Sequence, residues 1–332
     1  FDSLSASDLH QTATEADGRL EREERFSEAL SGLEEQLADL PSFTEVDRYL
    51  LSNNDIPAEA LAKLDTGKAP RSSYLSSDAS KIQVFVLFGL DGVDSSDSVM
   101  LVALDRVHQK IKLISLARDS YVFIPEYGFF SKLAYSYTWG GAAMAVKNLN
   151  YNYYLNVSDY IAVDFDQLAE IIDRIGGVTV NIDEDEARYL SNYPNVHVGD
   201  CLLDGETAVS YARIRKSSAT DSDRKRTGRQ REVILSILNT LQTMPLSQYP
   251  GFVRDCLGMC ATSFEAETLL TMAAETLGQN YTVEQYFFPE GQVDWWAGLI
   301  KEYFYYVYDL RRASDRIYRI IYEELYISGY DD

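Results

Sequence analysis

The first part of the chain alternates apolar and polar residues with a helical period. Leucines and one phenylalanine recur at three- and four-residue steps over residues 19–39, which predicts an amphipathic helix that ends at Pro41. A second helix is predicted over residues 57–64, because a proline suits its first turn. The Ser-rich stretch 66–81 is typical of a linker. Residues 1–81 are therefore predicted to form a helical extension and linker, which either pads the core or acts as a stalk or spacer.

From Ile82 onward, apolar runs of strand length alternate with helical segments. Ile82–Leu90 is apolar enough to be a central strand covered on both faces. Further strands are predicted at 98–104, Lys110–Leu116, 121–125, Val178–Ile182 and 281–288, and one more ends at 163–165. Helices are predicted at 140–149, 166–175, 226–241, after Pro250 and at 265–277. We therefore predict the α/β class, as a layered α/β/α sandwich with a central mixed β-sheet, in a domain over residues 82–290.

Aromatic residues are concentrated at the end of the chain. Eight Tyr, two Trp and one Phe lie within residues 295–330, and Tyr318, Tyr322 and Tyr326 repeat every four residues. This spacing predicts that residues 291–332 form an aromatic-rich helical extension whose tyrosines pack against the main domain. The alternative is an exposed aromatic surface that binds a glycan or a partner.

The chain is strongly acidic. Its 332 residues include 30 Lys and Arg against 52 Asp and Glu, which gives a formal net charge of −22 and argues against a nucleic-acid partner. No apolar run approaches the ~18–20 residues needed to span a membrane. The three cysteines make neither a disulfide scaffold nor a zinc site. Cys256 and Cys260, four residues apart, are expected to share a helix face as packing residues rather than as a bridge.

An acidic loop follows the first predicted strand of the main domain. Asp91, Asp94 and Asp97 fall within seven residues after an apolar run, at the edge where ligands usually bind to α/β sheets. Asp91 and Asp97 are spaced to hold Mg²⁺ through one or two oxygens, with water or phosphate completing the shell. The same composition is typical of a solvated turn, so this loop alone leaves both interpretations open.

Basic residues cluster in this otherwise acidic chain. Eight of the 30 lie within residues 213–231. Arg213 and Arg215 alternate, so an extended segment would point both the same way, and Arg226 shares a helix face with Gln230. Guanidinium groups suit bidentate contacts to phosphate oxygens. A solvated helix start is the alternative, although arginines in a first turn oppose the helix dipole.

A third polar group follows another apolar strand. Arg118 and Asp119 come directly after it, and Lys132 follows a short loop later. On its own the first pair indicates a structural ion pair. Taken together, the three clusters indicate a divalent metal and guanidinium groups that converge on a polyphosphate. The chain has no P-loop, nucleophile elbow or kinase signature, which argues against nucleotide hydrolysis and a serine triad.

The ordered motifs resemble the LytR-CpsA-Psr family of cell-envelope phosphotransferases. The resemblance covers about residues 82–241 and continues more weakly to about 289. Eight pieces in the family's order carry it: Gly89-Leu90-Asp91, residues 96–101 (SDSVML), 115–120 (SLARDS), 132–141 (KLAYSYTWGG), 165–180 ending in IGGVTV, 203–208 (LDGETA), 211–215 (YARIR) and 223–230 (DRKRTGRQ).

The resemblance implies an activity and a location. Family members are held by an N-terminal transmembrane helix, with the catalytic domain on the outer face of the membrane of Gram-positive-type bacteria. They move a glycopolymer such as wall teichoic acid or capsule from an undecaprenyl-pyrophosphate carrier to peptidoglycan. The same donor, acceptor and Mg²⁺ cofactor are therefore expected here. Because the chain begins with Phe1 and not with Met, we expect the membrane anchor to lie upstream of it.

The resemblance also implies roles for individual residues. Asp91 and Asp97 would hold Mg²⁺ against the pyrophosphate, and whichever of them the metal holds less tightly is the candidate general base. Catalysis would depend on these two residues and Arg118. The prenyl tail would lie in an apolar tunnel between sheet and helices. Pyrophosphate oxygens would be bound by Arg118, Lys132, Arg213, Arg215, Arg226 and Gln230.

One position departs from the family pattern. Many members carry Arg two residues before the second metal-binding Asp, where this chain has Ser95. A phosphate contact is then either missing or supplied by another residue such as Lys132. Ser95 thus motivates a second hypothesis, in which the domain is a non-catalytic binder of polyprenyl phosphates or envelope glycans that acts as a sensor or scaffold. A third hypothesis, a transcriptional attenuator, is disfavoured by the net charge and the expected extracellular location.

Overall fold

The protein is described by a computed structural model over residues 56–64, 73–92, 96–215, 219–277 and 281–330. The helix predicted over residues 19–39 and Ser95 lie outside these ranges. The first described helix, α1 (Ala58–Leu64), confirms the helix predicted at 57–64.

Strands and helices alternate along most of the described chain. After α1, the elements are β1 (Tyr74–Leu75), β2 (Ile82–Leu90), β3 (Ser96–Asp105), β4 (Lys110–Leu116), β5 (Tyr121–Ile124), β6 (Phe129–Lys132), α2 (Leu133–Tyr153), β7 (Asp159–Asp164), α3 (Phe165–Arg174), β8 (Val178–Ile182), α4 (Glu184–Tyr189), β9 (Gly199–Leu203), α5 (Gly205–Arg213), α6 (Ala219–Thr243), α7 (Tyr249–Leu257), β10 (Ala261–Thr262), α8 (Ala266–Leu277), β11 (Thr282–Phe288), β12 (Trp295–Ile300), β13 (Tyr303–Tyr308), α9 (Leu310–Tyr322) and β14 (Tyr326–Ile327).

A six-stranded mixed sheet forms the centre of the fold, in the order β10-β7-β2-β3-β4-β11. β7 runs parallel to β2, and β11 runs parallel to β4, whereas the other neighbours are antiparallel. Successive residues of β3 enter different cores, because side chains alternate across a strand: Val99 and Leu101 face one, Met100 and Val102 the other. Helices α2 and α9 cover the first face, and α6 and α8 cover the second. The predicted α/β/α class with a mixed sheet is confirmed.

A smaller core is built from α3, α5 and the β8–β9 hairpin. Asp164 and Asp204 cap the two helices, each accepting a hydrogen bond from the backbone N–H three residues later. The helices touch at Gly205, where a Cβ atom would overlap the backbone carbonyl of Ala169. Gly176 and Gly177 follow α3 with positive φ values of 84° and 101°, and the helix ends within one residue of the predicted 175.

Helix α2 starts earlier than predicted. It begins at Leu133 and continues through Gly140 and Gly141, where the backbone is kinked and Gly141 has a φ of 61°. The glycine pair therefore marks a kink inside the helix instead of its start. As a result, the first turn of α2 directly follows Lys132 at the end of β6.

The segment predicted as a linker is structured where it is described. Tyr74–Leu75 pairs with β14, and a 3₁₀ turn covers Ser77–Lys81. The linker prediction is therefore wrong for residues 73–81. Both strands of this pair have only two residues, so neither carries a periodic signal in the sequence.

The prediction that the C-terminal segment is helical is only partly right. It forms the antiparallel β12–β13 hairpin before α9, and Tyr326 lies in β14 beyond the helix. The ring of Tyr318 lies 5.5 Å from that of Tyr322 and 5.3 Å from that of Tyr326, and all three pack half-buried against the main core or each other. The hairpin lies between α1 and the main core: Tyr305 faces α1, and Tyr306 faces the sheet.

None of the described helices is long and apolar enough to cross a membrane.

Candidate functional site

The centre of the candidate site is Asp97, at the start of β3. Gly89 pairs with Ser98 and Leu90 pairs with Ser96, so Asp97 is the extra residue of a β-bulge. Bulges re-aim a side chain out of the regular alternation of a strand. The Asp97 residue is 9% exposed, and Asp91 follows directly after β2 at the same end of the sheet.

Three guanidinium groups surround the Asp97 carboxylate. Arg118 Nη1 donates to Oδ1, and the nearest nitrogens of Arg215 and Arg226 each lie 3.5 Å from the same oxygen. Arg226 Nη2 also donates to the backbone carbonyl of Asp97 at 3.4 Å. The structure therefore brings together four of the residues that the sequence singled out, from three separate parts of the chain.

Arg226 is held in place by a carboxylate that the sequence did not assign to the site. Its side chain is 2% exposed, and Nη2 lies 2.5 Å from Asp223 Oδ1 one helical turn earlier. Burial lowers the pKa of Arg226, with Arg118 and Arg215 adding to this effect and Asp223 opposing it. Burial raises the pKa of Asp223 despite its pairing with Arg226. The signal for Asp223 in the sequence is its i,i+3 spacing to Arg226.

Several buried polar atoms of this group have no hydrogen-bond partner in the described protein. They are Arg118 Nε, Asp223 Oδ2, Arg226 Nε and Nη1, and Gln230 Oε1. Leaving buried polar atoms unpaired is costly, so a group of them around one carboxylate calls for a partner such as an ion or a ligand. Guanidinium donors suit the oxygens of an anion, and a carboxylate oxygen suits a cation. This donor set therefore fits a phosphate-containing ligand together with a cation.

The charges of the cluster are also compatible with a bound metal cation. Burial opposes ionisation of Arg118, but the Coulombic attraction of Asp119, Asp97, Asp223 and Asp91 outweighs it and raises its pKa. These four carboxylates face four cations: Arg118, Lys132, Arg215 and Arg226. A pyrophosphate would bring further negative charge to a balanced set, so a divalent cation is compatible with it. Three guanidinium groups already contact Asp97 Oδ1, so Oδ2 is the oxygen of this carboxylate that would bind a metal.

Lys132 is connected to Asp97 through Asp119 and Arg118. Its ammonium lies 2.7 Å from Asp119 Oδ1, and Arg118 Nε lies 3.8 Å from the other oxygen of that carboxylate. The same ammonium is 5.7 Å from the ring centre of Tyr303 and 5.5 Å from that of Tyr305. The C-terminal hairpin thus contributes to the surroundings of the site, which the sequence did not predict.

Arg213 is not part of the Asp97 cluster. It is the last residue of α5, and its guanidinium lies 4.4 Å from the ring centre of Phe165, whereas Arg215 reaches Asp97. The expectation that Arg213 and Arg215 point the same way from an extended segment is therefore wrong. One lies in a helix and the other follows it, so they do not share the alternation of a strand.

An apolar cavity opens beside the cluster, between the sheet and helices α6–α8. Its volume is about 390 Å³, and its walls are mainly aliphatic and aromatic side chains, with Cys256 and Cys260 among them. Gly89, Ser98 and Asp164 line it near Asp97, together with Phe165 and Gln230. Gln230 lies one helical turn from Arg226 on α6. The apolar cavity therefore lies next to the cationic cluster, with Ser98 and Gln230 between them.

A second charged cluster lies at the other end of β3, and its geometry is that of an ion-pair network. Ligand atoms of Asp105, His108 and Glu323 lie within 4.8 Å of one another. However, the ammonium of the fully buried Lys112 lies 2.8 Å from both Asp105 and Glu323. A metal ion would have to displace this ammonium, so we assign the cluster a structural role.

Comparisons with known proteins agree with this architecture. The chain belongs to the LytR_cpsA_psr family, whose profile matches residues 54–317. The polyisoprenyl-teichoic acid–peptidoglycan teichoic acid transferase TagU of Enterococcus faecalis is 30% identical over 166 residues, which are 48% of this chain and 54% of that protein. TagU of Oceanobacillus iheyensis is 29% identical over 230 residues, 66% of this chain and 69% of that protein. The chain thus spans about half to two thirds of the length of these relatives.

Solved structures of the family share the fold. The LytR-CPS2A-psr family protein YwtF (TagT) with bound octaprenyl pyrophosphate lipid superposes with a TM-score of 0.57 at 18% identity, covering 79% of this chain and 95% of that one. At this identity the match shows the fold alone. Together with the family match, it confirms the resemblance that the eight motifs carried.

Proposed function

We propose that this domain transfers a glycopolymer phosphate from an undecaprenyl-pyrophosphate carrier to peptidoglycan, with Mg²⁺ as cofactor. The observation that carries the proposal is the junction of two compartments. Buried guanidinium groups with unpaired donors contact Asp97, whose neighbour Ser98 lines an apolar cavity, an arrangement suited to a pyrophosphate with a prenyl tail. The transferase names of the relatives and the lipid in the TagT structure support the same substrate class.

The reaction is a substitution at phosphorus. The oxygen of an acceptor hydroxyl attacks the phosphorus that bears the glycan, and the bond from this phosphorus to the bridging oxygen breaks. The lipid leaves as a monophosphate, and the hydroxyl proton passes to a carboxylate. Asp91 and Asp97 are the two candidate acceptors of this proton, and the one that Mg²⁺ would hold less tightly is the general base.

The arginines supply most of the stabilisation of the transition state. Arg118 and Arg226 are anchored by carboxylates, so their free donors are aimed before the substrate arrives and need little reorganisation. They would neutralise the charge that accumulates on the departing lipid phosphate, with Arg215 at the exposed rim and Lys132 behind Asp119. Asp91 and Asp97 would hold Mg²⁺, which when bound supplies further charge neutralisation on the pyrophosphate oxygens.

The experiment is to measure release of phosphate from a short polyprenyl pyrophosphate with and without Mg²⁺. We expect metal-dependent release that falls by about 10²–10³ in Arg118→Ala and is lost in Asp97→Ala. Arg188→Ala is the matched control, because this arginine is exposed and pairs with Asp185 on α4. Unchanged turnover in Arg118→Ala would remove the role assigned to it.

A non-catalytic binder remains the second candidate, and one observation favours it. The three guanidinium groups already compensate Asp97, and the chain has Ser95 where many family members have Arg. Such a protein would bind polyprenyl pyrophosphate without turnover at any Mg²⁺ concentration. In that case Ser95→Arg is the next variant, and a gain of turnover would identify this position as the cause.

We further propose that the domain works at the outer face of the cell membrane, held there by an N-terminal anchor. Membership in a cell-envelope family supports this location.

A further inference from the structure

Phe165 lies where the apolar cavity meets the cationic cluster. It is the first residue of α3, directly after Asp164, which pairs with Leu90 at the end of β2. Its side chain lines the cavity near Gly89 and Ser98, at the end where Asp97 is located. A capping box between Asp164 and Gln167 holds the first turn of α3. The ring is therefore presented to the cavity from a defined backbone.

The ring of Phe165 also contacts the guanidinium of Arg213. The guanidinium carbon lies 4.4 Å from the ring centre, which is within the range of a cation–π pair. Among the described residues, no carboxylate lies within ion-pair distance of Arg213, whereas Arg118, Arg215 and Arg226 all contact Asp97. Arg213 is exposed, so without the ring its long side chain would sample many rotamers.

We propose that Phe165 is a positioning residue that couples the cavity to Arg213. Resting on the proposed function, the ligand is a prenyl pyrophosphate whose tail fills the cavity. The tail packs against the part of the ring that lines the cavity, and the ring carries the guanidinium at the entrance, where the pyrophosphate emerges. Ordering the ring therefore orders the cation, so that tail binding and headgroup binding reinforce each other.

The test is a double-mutant cycle on binding. Dissociation constants of a short polyprenyl pyrophosphate and of the corresponding prenyl alcohol are measured by calorimetry for Phe165→Leu, Arg213→Ala and the double variant. Leucine keeps the apolar wall and removes the aromatic face. We expect each single change to weaken pyrophosphate binding by ~3–10-fold, and the double change to cost no more than the larger single one. Arg213→Ala should leave binding of the alcohol unchanged.

Two further variants separate positioning from packing. Phe165→Trp keeps an aromatic face, so Arg213→Ala should weaken pyrophosphate binding in this background as it does in the wild type. If Phe165 has only a packing role, tryptophan should weaken pyrophosphate binding as much as leucine does. Leu168→Ala removes another side chain that lines the cavity, and it should weaken the pyrophosphate and the alcohol equally.

The outcomes distinguish this inference from the proposed function. If the wild-type protein binds the pyrophosphate no better than the alcohol, both fail. If it prefers the pyrophosphate and loses this preference in Arg118→Ala, but the Phe165 and Arg213 effects are additive, the proposed function stands and the coupling is overturned.

Discussion

Arg226 and Asp223 form a buried ion pair within one helical turn, with Nη2 2.5 Å from Oδ1. The pair aims the remaining guanidinium donors at Asp97, on a different element of the fold. Arg226 is thus both part of the site and a link between α6 and β3. Its loss should affect stability as well as turnover.

We predict that Arg226→Ala lowers the free energy of unfolding by about 3–5 kcal/mol, because it leaves the Asp223 carboxylate buried without its partner. Denaturant unfolding measures this change. Arg224→Ala is the control two residues away, because Arg224 is exposed, and it should change stability by less than about 0.5 kcal/mol. Equal stabilities of the two variants would show that the pair does not anchor the helix.

The sequence predicts an element well only where the residues of that element have a periodic or continuous apolar pattern. Lys110–Leu116 and Val178–Ile182 have the bounds that were predicted, because apolar runs or strict alternation between turn residues define them. The β1–β14 pair could not be found, since its residues lie over 250 positions apart and pair through backbone groups. The helical prediction for the C-terminal segment depends on the spacing of Tyr318, Tyr322 and Tyr326, which lie beyond the hairpin, so it does not hold for the hairpin strands.

The candidate site was likewise predictable only in part. The sequence indicated that Asp97, Arg118 and Arg226 converge, because each follows or begins an element at one sheet edge, and the structure brings them together. The sequence could not show that Asp97 lies in a bulge, or that Arg213 contacts Phe165 instead of Asp97. Both depend on local backbone geometry that residue spacing alone does not determine.

A prediction about packing concerns the contact between α3 and α5. Gly205→Ala should destabilise the protein by about 1–3 kcal/mol, because the added methyl overlaps the backbone carbonyl of Ala169 and backbone cannot move aside. Gly251→Ala is the matched control: nothing lies within 4 Å of its added Cβ, and alanine favours the helix by about 1 kcal/mol. Thermal unfolding should shift in opposite directions, and a shift in the same direction would contradict the close approach.

The cavity can be probed through its two cysteines. Burial raises the pKa of Cys256 to about 12 and that of Cys260 to about 11. Thiolate is the reactive form, so maleimide labelling at pH 8 should be at least about tenfold slower than for an exposed thiol. A prenyl pyrophosphate should slow it further, because both thiols line the cavity. Mass spectrometry follows the labelling in Cys201→Ser, which removes the third thiol, and labelling unaffected by the lipid would place the lipid elsewhere.

The last prediction concerns pH and the network at the far end of β3. His108 lies between Asp105 at 2.6 Å and Glu324 at 2.7 Å, with Glu323, Lys110 and Lys112 in the same cluster. Burial opposes the charged imidazole, but the bonds to the two carboxylates outweigh this and raise its pKa above 6.5.

A raised folded-state pKa means that the charged imidazole stabilises the folded protein. The contribution is fully present below about pH 6.5 and is lost as the pH rises through the higher folded-state pKa, at about 1.4 kcal/mol for each unit of pKa difference. Unfolding free energies measured from pH 5 to 9 should therefore fall over this window in the wild type and fall less in His108→Gln. The exposed His197 provides the control, because His197→Gln should retain the wild-type slope. If His108→Gln keeps that slope as well, the imidazole does not link the β3–β4 turn to the C-terminal segment.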